Sequence, residues 1–398
     1  MEIGKRRLIV VGGCTGTGKT KLGVEIAQRY NGEVISADSM QVYKGLNIIS
    51  NTVTVEEMDG VVHHCINFVS PGDQYDVRKF LKHALSITED ILGRGKLPVV
   101  VGGTSYWIEA LLWDFTLSSP PAPCAPESND SGSDAESSYE KLLILDPDTA
   151  ARLHPNDSRR IARCLQICEQ HGCTRSSLLD NQHSERELRG PLRWDSVLMF
   201  CVESNQAILD KRLDARVDAM VEVGLCDELN QFLDHEYEDS GLLNQIIGFK
   251  EFSEYLTLLR FDEQNMELRN GALQNGLDKM KTVTRRYARK QMRWINNRLA
   301  DDSSSENFYF HRLDTSYPQE WDECISKRSI QIIDEFLNDS LAKSEFKSSE
   351  RKLMLAKLCE ICSVTCVGDE AFNSHMTSRK HRKRKAYLKS KNKLETEK

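Results

Sequence analysis

The sequence predicts an α/β protein: a doubly wound parallel sheet with a phosphate-binding P-loop, a helical insertion domain and a C-terminal C2H2-type zinc finger. Three observations predict this fold class. Short β-branched runs end in glycine pairs and are followed by helical spacing, the alternation of a parallel sheet. The glycine loop after the first run has phosphate-binding spacing. Two cysteines and two histidines near the C-terminus have the spacing of a zinc site.

The sheet is predicted element by element from these runs. Residues 7–11 form a strand that leads through the glycine loop into a helix at residues 19–30. Residues 33–36 (EVIS) and 97–101 (LPVVV) are further buried strands, the latter followed by a helix at 106–112, and residues 196–202 (SVLMFCV) form a later core strand. Ligands of such sheets lie beyond the carboxyl ends of the strands, where both glycine pairs fall.

Composition divides the chain into seven parts. Residues 118–138 lack large apolar residues and are rich in proline, serine and acids, which predicts a disordered loop. A mostly helical and polar stretch follows, and a helix near 326–341 precedes the C-terminal region. The predicted parts are core 1–117, loop 118–138, helical insertion 139–192, core 193–342 with a basic helix, linker 343–354, finger 355–385 and basic tail 386–398.

The bulk composition narrows the class of protein. The 398 residues carry a net charge of −7, but residues 350–398 carry 13 Lys/Arg against 6 Asp/Glu, net +7, which leaves −14 for the rest. A polyanionic partner would therefore meet the tail first.

No apolar stretch approaches the ~18–20 residues that span a bilayer, so we expect no membrane partner. The scattered cysteines predict a reducing compartment, and we expect a monomer in the cytoplasm, with the nucleus and mitochondrion as further locations.

The loop from residue 13 to residue 20 matches the phosphate-binding pattern G-x-x-x-x-G-K-[ST]. Its glycines let backbone amides point inward, Lys19 supplies a point charge and Thr20 can hold Mg²⁺. The residues predicted to bind a diphosphate are Gly13, Cys14, Thr15, Gly16, Thr17, Gly18, Lys19 and Thr20. The pattern by itself indicates binding of a di- or triphosphate and does not establish that the ligand is a nucleotide. A kinase would need a second acid after an apolar strand. Residues 142–146 (LLILD) resemble one, although we favour a helix end there.

Asp38 follows the second predicted strand and lies beside the phosphate loop. From position alone, its carboxylate could bind Mg²⁺, accept a proton or cap the next segment.

Seven segments, in this order and spacing, resemble the tRNA dimethylallyltransferases, also called tRNA isopentenyltransferases. They are GGCTGTGKT, ADSMQVYKGL, VGGTSYWIEALL, LDPDTAARLHPNDSRRIARCLQI, RVDAMVEVGL, QIIGFKEF and RRYARKQMRWI, and the zinc finger makes the chain similar to the eukaryotic branch. The resemblance implies transfer of a dimethylallyl group from dimethylallyl diphosphate to the exocyclic N6 amine of adenosine 37 in tRNA. It implies that Asp38 is the general base, that Thr104 lies near the leaving oxygen and the amine, and that Arg216 clamps the diphosphate, with Mg²⁺ as cofactor.

The resemblance also implies contacts to tRNA. The target adenine must leave its stack to reach a buried carboxylate, so Ser39, Gln41 and Tyr43 are candidates for reading the base, with a purely structural role as the alternative. Arg160 and Arg163 match positively charged positions of the family.

Residues 282–298 form a predicted helix that contains six basic residues and no acid. Arg285, Arg289 and Arg293 share one face because they are spaced by four. We favour contact of this face with the tRNA backbone, and a solvated helix that packs its aromatic residues inward is the alternative.

Cys359, Cys362, His375 and His381 have the C-x2-C-x12-H-x5-H spacing of a tetrahedral, structural Zn²⁺ site. Nine basic residues between 379 and 393 follow, which fits RNA backbone affinity or nuclear import. Two alternatives to the transferase remain at this point: a P-loop kinase or NTPase that binds ATP and carries an RNA-binding finger, and a non-catalytic RNA-binding protein.

Overall fold

The computed structural model describes residues 5–114, 133–171, 174, 191–233, 246–260, 265–300, 306–342, 356–362 and 364–385. The chain divides into two compact units. The first comprises Met1–Pro120 with Gly190–Ser348, and the second Pro121–Arg189 with Ser349–Lys398. The tail at 386–398, the linker at 343–354 and residues 118–132 of the predicted loop lie outside the described residues.

Six parallel strands form the sheet of the first unit. They are β1 Arg7–Gly13, β2 Gly32–Ser36, β3 His63–His64, β4 Leu97–Gly102, β5 Ser196–Glu203 and β6 Phe308–Asp314. Their spatial order is β3-β2-β4-β1-β5-β6. The chain passes from β1 to β2 and to β3 at one edge, returns to β4 between β2 and β1, and then continues through β5 to β6 at the other edge, which is a doubly wound arrangement, as the sequence predicts.

Helices cover both faces of this sheet. The α-helices among the described residues are α1 Lys19–Arg29, α2 Val55–Met58, α3 Val77–Gly93, α4 Ser105–Leu112, α5 Ser133–Leu145, α6 Pro147–Ala150, α7 Ser158–His171, α8 Gln206–Glu222, α9 Leu225–Leu233, α10 Ser253–Arg260, α11 Met266–Arg298, α12 Arg328–Leu337 and α13 Asp369–Thr377. In β1, Leu8 and Val10 join one buried apolar cluster while Ile9 and Val11 join the other, because successive strand side chains point to opposite faces.

The second unit contains α5–α7 and a small finger. The finger has an antiparallel pair, β7 Ala356–Cys359 and β8 Val364–Val367, followed by α13. The helix α5 begins at Ser133, so the predicted disordered loop is wrong for residues 133–138. The polar start of that stretch suits a helix N-terminus, and the alanine and glutamate that follow are good helix formers. Leu145 ends this helix and Asp146 caps the next by accepting from the Thr149 amide, so LLILD is a helix end and not a magnesium-site strand.

Several elements were not predicted. The edge strands β3 and β6 and the amphipathic helix α3 are absent from the sequence-based assignment; β3 has only two residues, and β6 (FYFHRLD) is neither a continuous aliphatic run nor a strict polar–apolar alternation. The helix predicted near 326–341 begins instead with a π-helical stretch at Asp322–Lys327 and ends at Leu337. In the described part of the chain, no helix is long and apolar enough to cross a membrane.

Candidate active site

The phosphate loop connects β1 to α1. Gly16 and Gly18 adopt φ angles of 83° and 88°, which disfavour other residues. Thr17 donates its hydroxyl hydrogen to the Cys14 carbonyl oxygen at 2.9 Å, and the Lys19 ammonium donates to the same oxygen at 2.7 Å. These internal bonds hold the loop open around a concave backbone, as an anion site requires.

Two cations, Lys19 and Arg216, lie at this loop, and neither forms an ion pair with an acidic side chain in the part of the chain that the structure describes. Burial lowers the pKa of Lys19 and of Arg216, and the Asp38 carboxylate opposes that shift for both residues. Arg216 extends from α8 and donates to the Thr15 hydroxyl at 2.9 Å. Its Nε–H is buried and has no hydrogen-bond partner among the described residues. A bound anion would satisfy this donor and stabilise the charged form of both cations.

Asp38 lies just beyond the carboxyl end of β2, on the same side as the phosphate loop. One of its oxygens accepts from the Met40 amide at 3.0 Å, so the carboxylate also caps the following turn. Burial raises its pKa, whereas Lys19 and Arg216 lower it by a smaller amount. The result is a carboxylate that binds a proton more readily than an exposed aspartate.

Thr104 begins α4 directly after β4 and connects to the Asp38 segment. Its hydroxyl oxygen accepts from the Ser39 amide at 3.0 Å, and its hydroxyl hydrogen points to the Ser39 hydroxyl oxygen at 3.3 Å. The Thr104 amide donates to the Ala37 carbonyl at 3.1 Å. The structure therefore brings together Asp38, Thr104, Lys19 and Arg216, four residues that the sequence assigned to one site.

The three candidate base readers differ in their surroundings. Ser39 is half-buried and contacts Thr104. Gln41 uses its amide within the protein, because its oxygen lies 3.2 Å from the Ser36 hydroxyl and its nitrogen donates to the Asn51 carbonyl. Tyr43 is 5% exposed, and its hydroxyl oxygen accepts from a backbone amide. For Tyr43, burial favours a packing role over the predicted base contact.

A ladder of three ion pairs joins α8 to α11. Its members are spaced by four residues on each helix and run antiparallel: Asp218 with Lys281, Asp214 with Arg285, and Asp210 with Arg289. Two of the three α11 arginines that the sequence assigned to tRNA are therefore neutralised within the protein. Their partners come from a helix about 70 residues earlier, which the local spacing of α11 does not reveal.

Of the three arginines in the predicted face, Arg293 takes no part in this ladder, and two further basic residues of α11 lie near it. Arg286, Lys290 and Arg293 are exposed, and no ion pair in the described ranges includes any of them. They follow one another by four and three residues, so they share a face of α11. This surface, not the one through Arg285 and Arg289, is the basic face available to a polyanion.

The two predicted arginines of the insertion lie in the second unit. Arg160 is exposed in the first turn of α7, and its Nε atom lies 3.3 Å from an Asp157 oxygen. Arg163 is on the same helix, but its side chain lies outside the described residues.

Four candidate zinc ligands converge in the finger. The ligand atoms of Cys359, Cys362, His375 and His381 all lie within 4.8 Å of one another. Nδ1 of His381 is 3.5 Å from each sulfur and 3.3 Å from Nε2 of His375. Bonds of about 2.0 Å to nitrogen and about 2.3 Å to sulfur place tetrahedral ligands about 3.3 Å (N–N) and about 3.5 Å (N–S) apart. The cluster therefore fits a tetrahedral zinc ion.

Sequence analysis missed two residues around the active site. Gln291, on α11, accepts from the Thr15 amide and donates to the Gly103 carbonyl, although it lies in a run noted only for its charge. Glu228, on α9, accepts from the Ile48 and Ile49 amides and so holds the segment that follows Asp38. Both contacts join residues more than 150 positions apart, so no local pattern could have indicated them.

Two family models match the part of the chain that carries this site. The model of the family described as IPP transferase matches residues 41–298, and that of isopentenyl transferase matches residues 6–66. The chain belongs to the IPP transferase family. A model of C2H2-type zinc fingers matches residues 357–381 of this family member.

Relatives of this IPP transferase cover nearly its whole length. The tRNA dimethylallyltransferases of mouse and human are 37% and 36% identical over 94% of this chain and 85% of theirs. That of Saccharomyces cerevisiae is 31% identical over 95% of this chain and 91% of its own. A solved structure of a eukaryotic dimethylallyltransferase acting on tRNA matches with a TM-score of 0.77 and 30% identity, covering 98% of this chain and 99% of the other.

Proposed function

We propose that this chain transfers the dimethylallyl group of dimethylallyl diphosphate to the exocyclic N6 amine of adenosine 37 in tRNA. The observation that carries the proposal is the position of Asp38, a carboxylate of raised pKa, beside an anion-binding loop and Thr104. Its relatives, named tRNA dimethylallyltransferases, support the same reaction.

The diphosphate would lie against the phosphate loop. Loop amides, Lys19 and the unpaired Nε–H of Arg216 would neutralise the charge that develops on the leaving oxygen. The phosphate loop thus stabilises a leaving group and does not transfer a phosphoryl group. Lys19 would exchange its present bond to the Cys14 carbonyl for a phosphate oxygen.

Asp38 would act on the nucleophile. An aromatic amine is a poor nucleophile, so the N6 nitrogen attacks the allylic carbon as Asp38 accepts one of its protons, while the carbon–oxygen bond breaks and diphosphate leaves with the electron pair. The raised pKa makes the ionised Asp38 a stronger base. Thr104 would hold the Asp38 segment in place through the Ser39 amide and offer its hydroxyl to the amine or the leaving oxygen.

Thr20 would hold Mg²⁺, since it is half-buried at the start of α1 and its hydroxyl is an oxygen ligand of the kind that Mg²⁺ prefers. When bound, the ion would add positive charge on the diphosphate. In the finger, we propose that Zn²⁺ is structural and holds β7, β8 and α13 together.

Contact with tRNA would use two basic regions. Arg286, Lys290 and Arg293 would meet the phosphate backbone, because they are exposed and unpaired among the described residues. The basic residues at the end of the finger would add sequence-independent affinity.

The test is mass spectrometry of tRNA after incubation with the protein, Mg²⁺ and dimethylallyl diphosphate. We expect a five-carbon unit on adenosine 37, and none when ATP replaces the allylic diphosphate. The matched control is the Asp38→Asn protein, which keeps the acceptor for the Met40 amide. Binding of ATP in preference to the allylic diphosphate, with no modified tRNA, would contradict the proposal.

A further inference from the structure

A single buried amide connects the two halves of the active site. Gln291 is 6% exposed and projects from α11 between the phosphate loop and the turn that carries Thr104. Its oxygen accepts from the Thr15 amide at 3.0 Å, and its nitrogen donates to the Gly103 carbonyl at 2.9 Å. Both groups of the amide are therefore used, one on each side.

The contact is close on the Gly103 side. A Cβ atom at Gly103 would lie 2.4 Å from the Gln291 nitrogen, well inside van der Waals contact. A buried amide that fits this tightly and bonds through both its oxygen and its nitrogen is held in one orientation. Gln291 therefore sets the separation of the two backbone segments that it joins.

These two segments hold opposite partners of the reaction. On one side, Thr15 accepts from Arg216, the diphosphate clamp. On the other, Thr104 directly follows Gly103 and binds the Ser39 amide next to Asp38. A continuous chain of hydrogen bonds and adjacent backbone thus runs from the clamp on the leaving group to the base on the nucleophile, with Gln291 at its centre.

We infer that Gln291 is a positioning residue. It fixes the distance between the phosphate loop, which would bind the diphosphate, and the segments that carry Asp38 and Thr104, so that the amine attacks the allylic carbon in line with the leaving oxygen. The inference rests on the proposed function. In-line displacement is sensitive to misplacement of about 1 Å, which can cost about 100-fold in rate. Substrate binding is less sensitive, because the loop amides, Lys19 and Arg216 stay in place.

The main variant is Gln291→Met, which keeps the length of the side chain and removes both hydrogen bonds. We expect kcat in single turnover to fall by about 10- to 100-fold, with much smaller changes in KM for either substrate. Ile295→Val is the matched control, one turn further along α11 and fully buried. It removes one methylene from the same helix, so it should lower the melting temperature while leaving kcat unchanged.

A double-mutant cycle separates positioning from general loosening. Gly103→Ala places a methyl group against the same amide, so the losses of kcat caused by the two substitutions should not be additive. In the Gly103→Ala protein, Gln291→Met should lower kcat only slightly. If Gln291→Met does not fold, Gln291→Glu keeps the acceptor for Thr15 and places an oxygen against the Gly103 carbonyl, and it should show the same kcat loss.

The outcomes are distinct. Wild-type protein that makes no prenylated tRNA would refute the proposed function. If the wild type is active, two results would overturn the inference. One is a kcat of the Gln291→Met or Gln291→Glu protein within twofold of that of the wild type. The other is a loss of kcat in these variants that adds fully to the loss caused by Gly103→Ala.

Discussion

Asp38→Asn tests the assignment of the base most directly. The substitution keeps the shape of the side chain and the oxygen that accepts from the Met40 amide, so the turn after β2 should survive. It removes one negative charge beside Lys19 and Arg216, which leaves the loop more positive. Binding of dimethylallyl diphosphate should therefore not weaken, and the whole loss should appear in kcat.

The expected size of the loss in kcat follows from the role of Asp38 as a general base. General base catalysis contributes about 10²- to 10⁴-fold, or about 2.7–5.4 kcal/mol at about 1.36 kcal/mol per tenfold. The assay is single-turnover transfer to tRNA at saturating concentrations of both substrates. A kcat within tenfold of wild type would refute the assignment of Asp38 as the base.

The pH dependence gives a second test of the same residue. The reaction needs the ionised carboxylate, and burial raises the pKa of Asp38 above its ordinary 3.8. The wild-type rate should therefore fall as pH decreases through this raised pKa, at a higher pH than for an ordinary aspartate. The effect of Asp38 on stability has the opposite dependence on pH. Its raised pKa in the folded state stabilises the fold below pH 3.8, and this stabilisation is lost as pH rises through the raised pKa. At neutral pH the Asp38→Asn protein should melt no earlier than wild type, as calorimetry would show.

The remaining predictions concern the surroundings of the site. Asp214→Asn removes one rung of the helix ladder and should lower the unfolding free energy by about 0.2–1 kcal/mol, and urea titrations should show this loss shrinking at high salt. Glu228→Gln weakens bonds from two backbone amides and should lower the unfolding free energy by about 1.5–3 kcal/mol, with normal stability as the contradicting result. Arg293→Ala should lower tRNA affinity and its salt dependence, whereas the paired Arg289→Ala should change both less, and the reverse order would refute the choice of face. Zinc removal by a chelator should unfold the finger and weaken tRNA binding without changing single-turnover kcat. A loss of kcat in proportion to the loss of tRNA binding would show that the finger contributes to the chemical step.

Local pattern was sufficient for the parts of the site that follow strands. Asp38 and Thr104 each come directly after a buried apolar run, and the carboxyl ends of parallel strands share one edge, so their proximity to Lys19 could be predicted. The charge of α11 could not be interpreted in the same way. Its spacing predicted one basic face through Arg285 and Arg289, but distant aspartates on α8 neutralise that face. Charge on a helix shows what it can bind only after its packing partners are known.

The strand order explains why one loop pattern can serve this chemistry. β2, β4 and β1 are neighbours in the sheet. Asp38, the turn that carries Thr104 and the phosphate loop follow their carboxyl ends in the same order. The turn that follows the middle strand therefore lies between nucleophile and leaving group, where both Thr104 and the Gln291 contact are found. A phosphoryl-transfer enzyme must instead deliver its nucleophile to the terminal phosphate. Here β4 lies between the strand that precedes Asp38 and the strand that precedes the phosphate loop, which leaves the middle of the site for an allylic carbon.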